Sequence, residues 1–115
     1  MSQEVRIEYT ETFEQLTNNL ISFMAHHMEE DKAIEKMQAT IEHFEDLVKE
    51  NPLAVPLSLT LLDLGIKTIR EYKYNGLRIL YKVKEQEMTT IQCSVIISQR
   101  QDIERVLVDH CILYK

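Results

Sequence analysis

Residues 65–83, GIKTIREYKYNGLRILYKV, carry two runs of strand-forming residues that meet at Asn75-Gly76 with no room for a longer loop. A two-residue type I′ turn needs positive φ at both central positions, and Asn-Gly is the pair that tolerates this best. The pattern predicts a β-hairpin with strands at 66–74 and 77–84. KEQE at 84–87 then turns the chain into a further strand at 89–97. On that strand Ile91, Cys93, Val95 and Ile97 alternate, as do Leu77, Ile79, Tyr81 and Val83 on the one before it. These eight side chains are expected to share the face that meets the helices. The opposite face, with Arg78, Leu80, Lys82, Thr90, Gln92, Ser94 and Ile96, is expected to stay open.

Upstream, Val5, Ile7 and Tyr9 alternate with Arg6 and Glu8, which reads as a short strand. Thr10 or Thr12 offers an N-cap, and Thr12 with Gln15 fits a capping box. Phe13, Leu16, Leu20, Phe23 or Met24, and His27 then recur at helical spacing, predicting a helix over 11–28. Glu29-Glu30-Asp31 reads as a polar break. Ile34, Met37, Ile41, Phe44 and Val48 predict a second helix over 32–50, ended by Asn51-Pro52. Two amphipathic helices with a short connection form a helical hairpin. Residues 51–63 are expected to be mostly irregular, with a helical turn within 57–64. Ser98 with Gln101 suggests a short terminal helix with Ile103, Val106, Leu107 and Cys111 as its stripe. The expected fold is α+β in the order β-α-α-β-β-β-α, a helical hairpin on one face of a mainly antiparallel four-stranded sheet, in one domain over 1–115.

With 44% hydrophobic and 28% charged residues in 115, the composition is that of a globular domain able to bury a core. The start, MSQEVRIEYTE, has no apolar segment of the signal-peptide kind, and no apolar run approaches the ~18 residues of a membrane span. A cytoplasmic location is expected. Residues 1–65 hold 4 Lys and Arg against 13 Asp and Glu, a balance of −9; residues 66–115 hold 9 against 6, or +3. The helical half is acidic and the sheet half mildly basic, within a total of −6 that argues against nucleic-acid binding by the whole surface.

Cys93 and Cys111 lack CxxC spacing and read as reduced packing residues. His26 and His27 beside Glu29, Glu30 and Asp31 share no HExxH-like spacing, so no metal and no other cofactor is expected. His43 reads as a boundary histidine. With two glycines in the chain there is no phosphate-cradling loop. The remaining cluster is Arg70, Arg78, Tyr81, Arg100, His110 and Tyr114. Cations and hydrogen-bonding rings near one sheet would suit RNA cleavage, with Arg78 and Arg100 stabilising phosphate charge and His110 or Tyr81 moving the proton. Arg78 and Arg100 have a structural alternative in pairing with Glu71, Asp102 or backbone carbonyls.

The succession of an opening strand, a helical hairpin ending at Asn51-Pro52, LLDLGI at 61–66, RILY at 78–81 and RQDIERVLVDHCIL at 100–113 resembles the ParE/RelE superfamily of toxin-antitoxin toxins. The match spans nearly the whole chain and is closest to the ParE-like branch, often described as plasmid stabilisation proteins. The resemblance implies a toxin held inactive by a cognate antitoxin. ParE-like members are associated with poisoning DNA gyrase, RelE-like members with cutting mRNA on the ribosome. RelE-like members place lysines on the second strand opposite the arginine of the third. Here Ile69 and Glu71 stand at those positions. Arg78 and Arg100 match the family's two arginines, which also occur in members without nuclease activity. The reading is a toxin that binds a cellular target, with DNA gyrase foremost, through Arg78, Leu80, Lys82 and Arg100. The alternatives are a RelE-like ribosome-dependent endoribonuclease and a non-toxic member that only binds an antitoxin.

Overall fold

A computed structural model describes residues 4–85, 87–99 and 105–106. The order is β1 (Val5–Tyr9), α1 (Glu11–Met24), α2 (Glu30–Glu50), α3 (Leu59–Asp63), β2 (Ile69–Tyr74), β3 (Leu77–Glu85) and β4 (Thr89–Ser98). The chain is α+β, and among the described residues these elements are three helices and a mixed four-stranded sheet in the order β1-β4-β3-β2. β1 runs parallel to β4, and the other pairings are antiparallel. Of the expected terminal helix, Arg105 and Val106 are helical and Val106 is buried. Arg100, His110, Cys111 and Tyr114 lie outside the described residues.

The hairpin forms where the turn chemistry puts it. Asn75 has φ of 58° and Gly76 of 80°, so both central residues are left-handed and Tyr74 faces Leu77 directly. That contact fixes every later pair of β2 and β3, including Lys73 with Arg78 and Glu71 with Leu80.

The helix boundaries differ from the sequence reading for electrostatic and capping reasons. Thr10, not Thr12, caps α1: its Oγ1 accepts from the Phe13 backbone N–H at 3.1 Å. α1 ends at Met24 rather than 28. Met24 is buried in the stripe while Phe23 is 61% exposed and meets His27 edge-on. Glu30 and Asp31, read as a break, form the first turn of α2, where carboxylates complement the positive end of the helix dipole. β2 starts at Ile69, after an irregular approach.

The expected faces change at one point. β3 and β4 slip by a residue between Leu80 and Tyr81: Leu80 pairs with Val95, but Tyr81 pairs with Cys93, leaving Ser94 as an inserted residue. Because strand side chains alternate with a period of two, one inserted residue exchanges the faces beyond it. Ile91 and Cys93 share a face with Val83 and Tyr81, whereas Val95 and Ile97 fall on the face of Leu80 and Arg78, and Ile96 takes the place beside Ile79. Thr10 secures the irregularity. Its N–H donates to the Cys93 carbonyl and its hydroxyl to the Ser94 carbonyl, both at 3.1 Å.

The helix-side core is built on Phe44 of α2, whose ring meets Tyr72 and Tyr81 at 5.2 Å each. Phe13, Leu16 and Leu20 of α1 join the same cluster. The other face is not bare. Leu80, Val95 and Ile97 have no exposed surface and belong to one core cluster with Leu61 of α3. The connection 51–66 is therefore structural: it carries a helix, and Ser58 hydrogen-bonds to Glu71 on this face.

Candidate functional site

The candidate site starts from the register of the hairpin, which sets Glu71 diagonally beside Arg78. The Glu71 side chain is only 8% exposed and has three partners. Ser58 Oγ donates to Oε1 at 2.8 Å, Lys73 Nζ lies 3.4 Å from Oε2, and an Arg78 guanidinium nitrogen lies 3.8 Å from Oε2. Arg78, 12% exposed, also donates to the backbone carbonyls of Ser98 and Gln99 at 3.3 and 3.1 Å. A guanidinium has five N–H donors in a fixed fork. Here one arm faces the carboxylate and another the end of β4. The structure thus takes up the pairing that the sequence offered as Arg78's alternative to phosphate binding. A ligand anion at this position would compete with a carboxylate that the fold already supplies.

The other predicted residues separate. Leu80 has no exposed surface, so it is a core residue and cannot contribute a docking contact; the cause is the covered face described above. Lys82 is half-buried and faces Ile69 and Gln92 in the ladders. Tyr81 is fully buried on the opposite face from Arg78, with its hydroxyl donating to the Pro52 carbonyl at 3.3 Å. Burial pushes that hydroxyl up to about 12 even though Arg70 nearby favours the anion. A phenol held protonated and sealed from solvent cannot shuttle a proton for Arg78. Arg100 and His110, the remaining members of the alternative set, lie outside the described residues. Arg70 is turned to the connection, donating to the carbonyls of Leu53 and Val55.

Two features escaped the sequence reading. His43 of α2 hydrogen-bonds through Nδ1 to the Tyr72 hydroxyl and stacks on Tyr74 at 4.1 Å, so it closes the outer side of the hairpin. Burial pushes the Tyr72 hydroxyl up to about 12. Nothing in sequence spacing joins residues 43 and 72; only the packing of α2 on β2 does. The second is a groove of about 390 Å³ between α1 and α2, lined by Tyr9, Phe13, Glu14, Thr17, Asn18, Ile41 and Glu45. At its base the Tyr9 hydroxyl donates to Glu45, and burial together with that bond drives the hydroxyl far above its ordinary value.

Among the described residues no three His, Cys, Asp or Glu side chains are grouped to hold a metal ion. No helix there is long and apolar enough to cross a membrane. Cys93 is buried, and burial pushes its thiol up to about 12, which leaves it an unreactive packing residue. Compared with protein-family models and with curated proteins, the chain matches none.

Proposed function

We propose that this chain is the toxin of a type II toxin-antitoxin system, of the ParE-like branch, acting in the cytoplasm by binding a cellular target and not by cutting RNA. DNA gyrase is the foremost target, and a cognate antitoxin neutralises the toxin. The order β-α-α-α-β-β-β, in which the five-residue α3 follows the two long helices, supports the family part together with the Asn75-Gly76 hairpin and the motifs at 61–66, 78–81 and 100–113. The observation that carries the choice of binding over cleavage is the Glu71 network. It sets a carboxylate where the RelE-like pattern has lysine and draws Arg78 onto that carboxylate and two backbone carbonyls. Burial of Tyr81 on the far face removes one of the two proton carriers that the nuclease reading named.

The surface that meets the target is revised by the burial of Leu80. Contacts fall to polar residues of the sheet, Lys82 among them, and to exposed apolar side chains such as Leu59 and Leu53 on the connection. The test is a supercoiling assay with purified protein and gyrase. Concentration-dependent loss of supercoiling is expected, and supercoiling unchanged over a broad concentration range would overturn the target assignment.

A further inference from the structure

We propose that the outer edge of β1 and the adjoining groove between α1 and α2 take up a basic, extended segment of a partner protein. The inference rests on reading the chain as a toxin neutralised by a partner, and it names the chemistry of the neutralising segment.

The sheet has two edges, and they are treated differently. Beyond β2, residues 56–58 close the edge: Leu57 bridges to Arg70, the Glu71 N–H donates to the Pro56 carbonyl at 3.2 Å, and the Ser58 N–H donates to the Ile69 carbonyl at 2.9 Å. β1 pairs with β4 alone, and among the described residues nothing pairs with its outer side. A row of backbone donors and acceptors on an edge strand is a template for one more strand. Val5, Ile7 and Tyr9 are only half-buried along it. At the Tyr9 end the edge reaches the 390 Å³ groove, whose apolar surface comes from Tyr9, Phe13 and Ile41. An apolar side chain of the added strand has room there.

Charge selects the occupant. Glu14 is exposed at the rim, Glu45 is half-buried at the base, and Glu4 and Glu11 are exposed at the two ends of β1. The cation on β1, Arg6, is 3.4 Å from Glu8 and so is already offset. Lysines or arginines on the incoming segment would complement this surface, whereas RNA, an acidic peptide or the same face of a second copy would bring like charge. Superfamily toxins are commonly basic and suit acidic antitoxins, so the pairing inferred here has the opposite polarity.

The experiment uses the full chain and three synthetic extended peptides that alternate valine with lysine, glutamate or threonine. Binding is read by fluorescence anisotropy at two salt concentrations, and its location by amide hydrogen exchange. The lysine peptide should bind best, weaken with salt and protect β1 amides. Glu14→Lys, at an exposed helix position, should weaken it about tenfold. Equal binding of the glutamate peptide, or binding without protection in β1, would overturn the assignment. Peptide binding by a protein that proves harmless on expression would sink the toxin reading and keep the groove. Growth arrest without peptide binding would do the reverse.

Discussion

Replacing Glu71 by Ala tests whether Arg78 is held inside the fold or kept for a ligand. The substitution removes a carboxylate that is 8% exposed and takes from Arg78, 12% exposed, the counter-charge that Glu71 supplies. Ser58 Oγ and Lys73 lose a partner as well. Breaking a buried ion pair from one side costs about 3 to 5 kcal/mol, and the 3.8 Å separation argues for the lower figure. At about 2.1 cal/mol/K per residue, 115 residues unfold with an entropy of roughly 240 cal/mol/K. A loss of about 3 kcal/mol therefore lowers Tm by about 12 °C. Thermal unfolding followed by circular dichroism measures this directly. Arg78→Met should cost a similar amount, and the double variant less than the sum, with a coupling of about 1 to 3 kcal/mol. Single variants within about 0.5 kcal/mol of the parent, adding without coupling, would refute the claim that the network draws Arg78 into the fold.

Three further outcomes follow from other parts of the structure. Thr10→Val removes the α1 cap and the bond to the Ser94 carbonyl, and should cost about 2 kcal/mol in urea denaturation; an unchanged midpoint would show that the inserted residue needs no such support. Gly76→Val should cost about 1 to 3 kcal/mol through strain alone, because φ is 80° and the added Cβ would meet nothing closer than Lys36 Nζ at 3.9 Å. Cys93, Tyr72 and Tyr81 are all pushed up to about 12, from ordinary values of 9.0, 10.0 and 10.0. Below pH 9 they are protonated in both states and their stabilising contribution is fully present. Between pH 9 and 12 the unfolded chain loses these protons first, so it binds fewer than the native state and stability falls. The slope is at most about 1.4 kcal/mol per pH unit for each group. A urea midpoint that stays level from pH 8 to 11 would contradict this burial.

The elements that sequence made legible are those fixed by local chemistry. Asn75-Gly76 sets a turn, a register and so the neighbours of Arg78, including Glu71. Apolar residues at helical spacing locate α1 and α2 even where their ends shift. The strand faces were hidden for a definite reason: in 95–97 the run Val-Ile-Ile is apolar at every position, so alternation cannot show that Ser94 has exchanged the faces. The burial of Leu80 has no signal in the alternation of its strand, and neither has that of Leu61, which joins the same core from a helix of only five residues. Glu29-Glu30-Asp31 misled because like charges suggest a solvated break, yet two of the three open a helix where its dipole favours them. For the site, the presence of Ile69 and Glu71 on the strand that pairs with that of Arg78, and so the availability of Glu71, could be read from the chain. That Tyr81 and Arg78 stand on opposite faces follows from their odd separation of three residues on one strand, but grouping them by chemistry obscured it.

Binding in preference to cleavage is tested most directly by inducing the protein in bacterial cells and following DNA and protein synthesis by pulse labelling. DNA synthesis should stop first while translation continues on intact mRNA. Early collapse of translation with mRNA cut on the ribosome would contradict it.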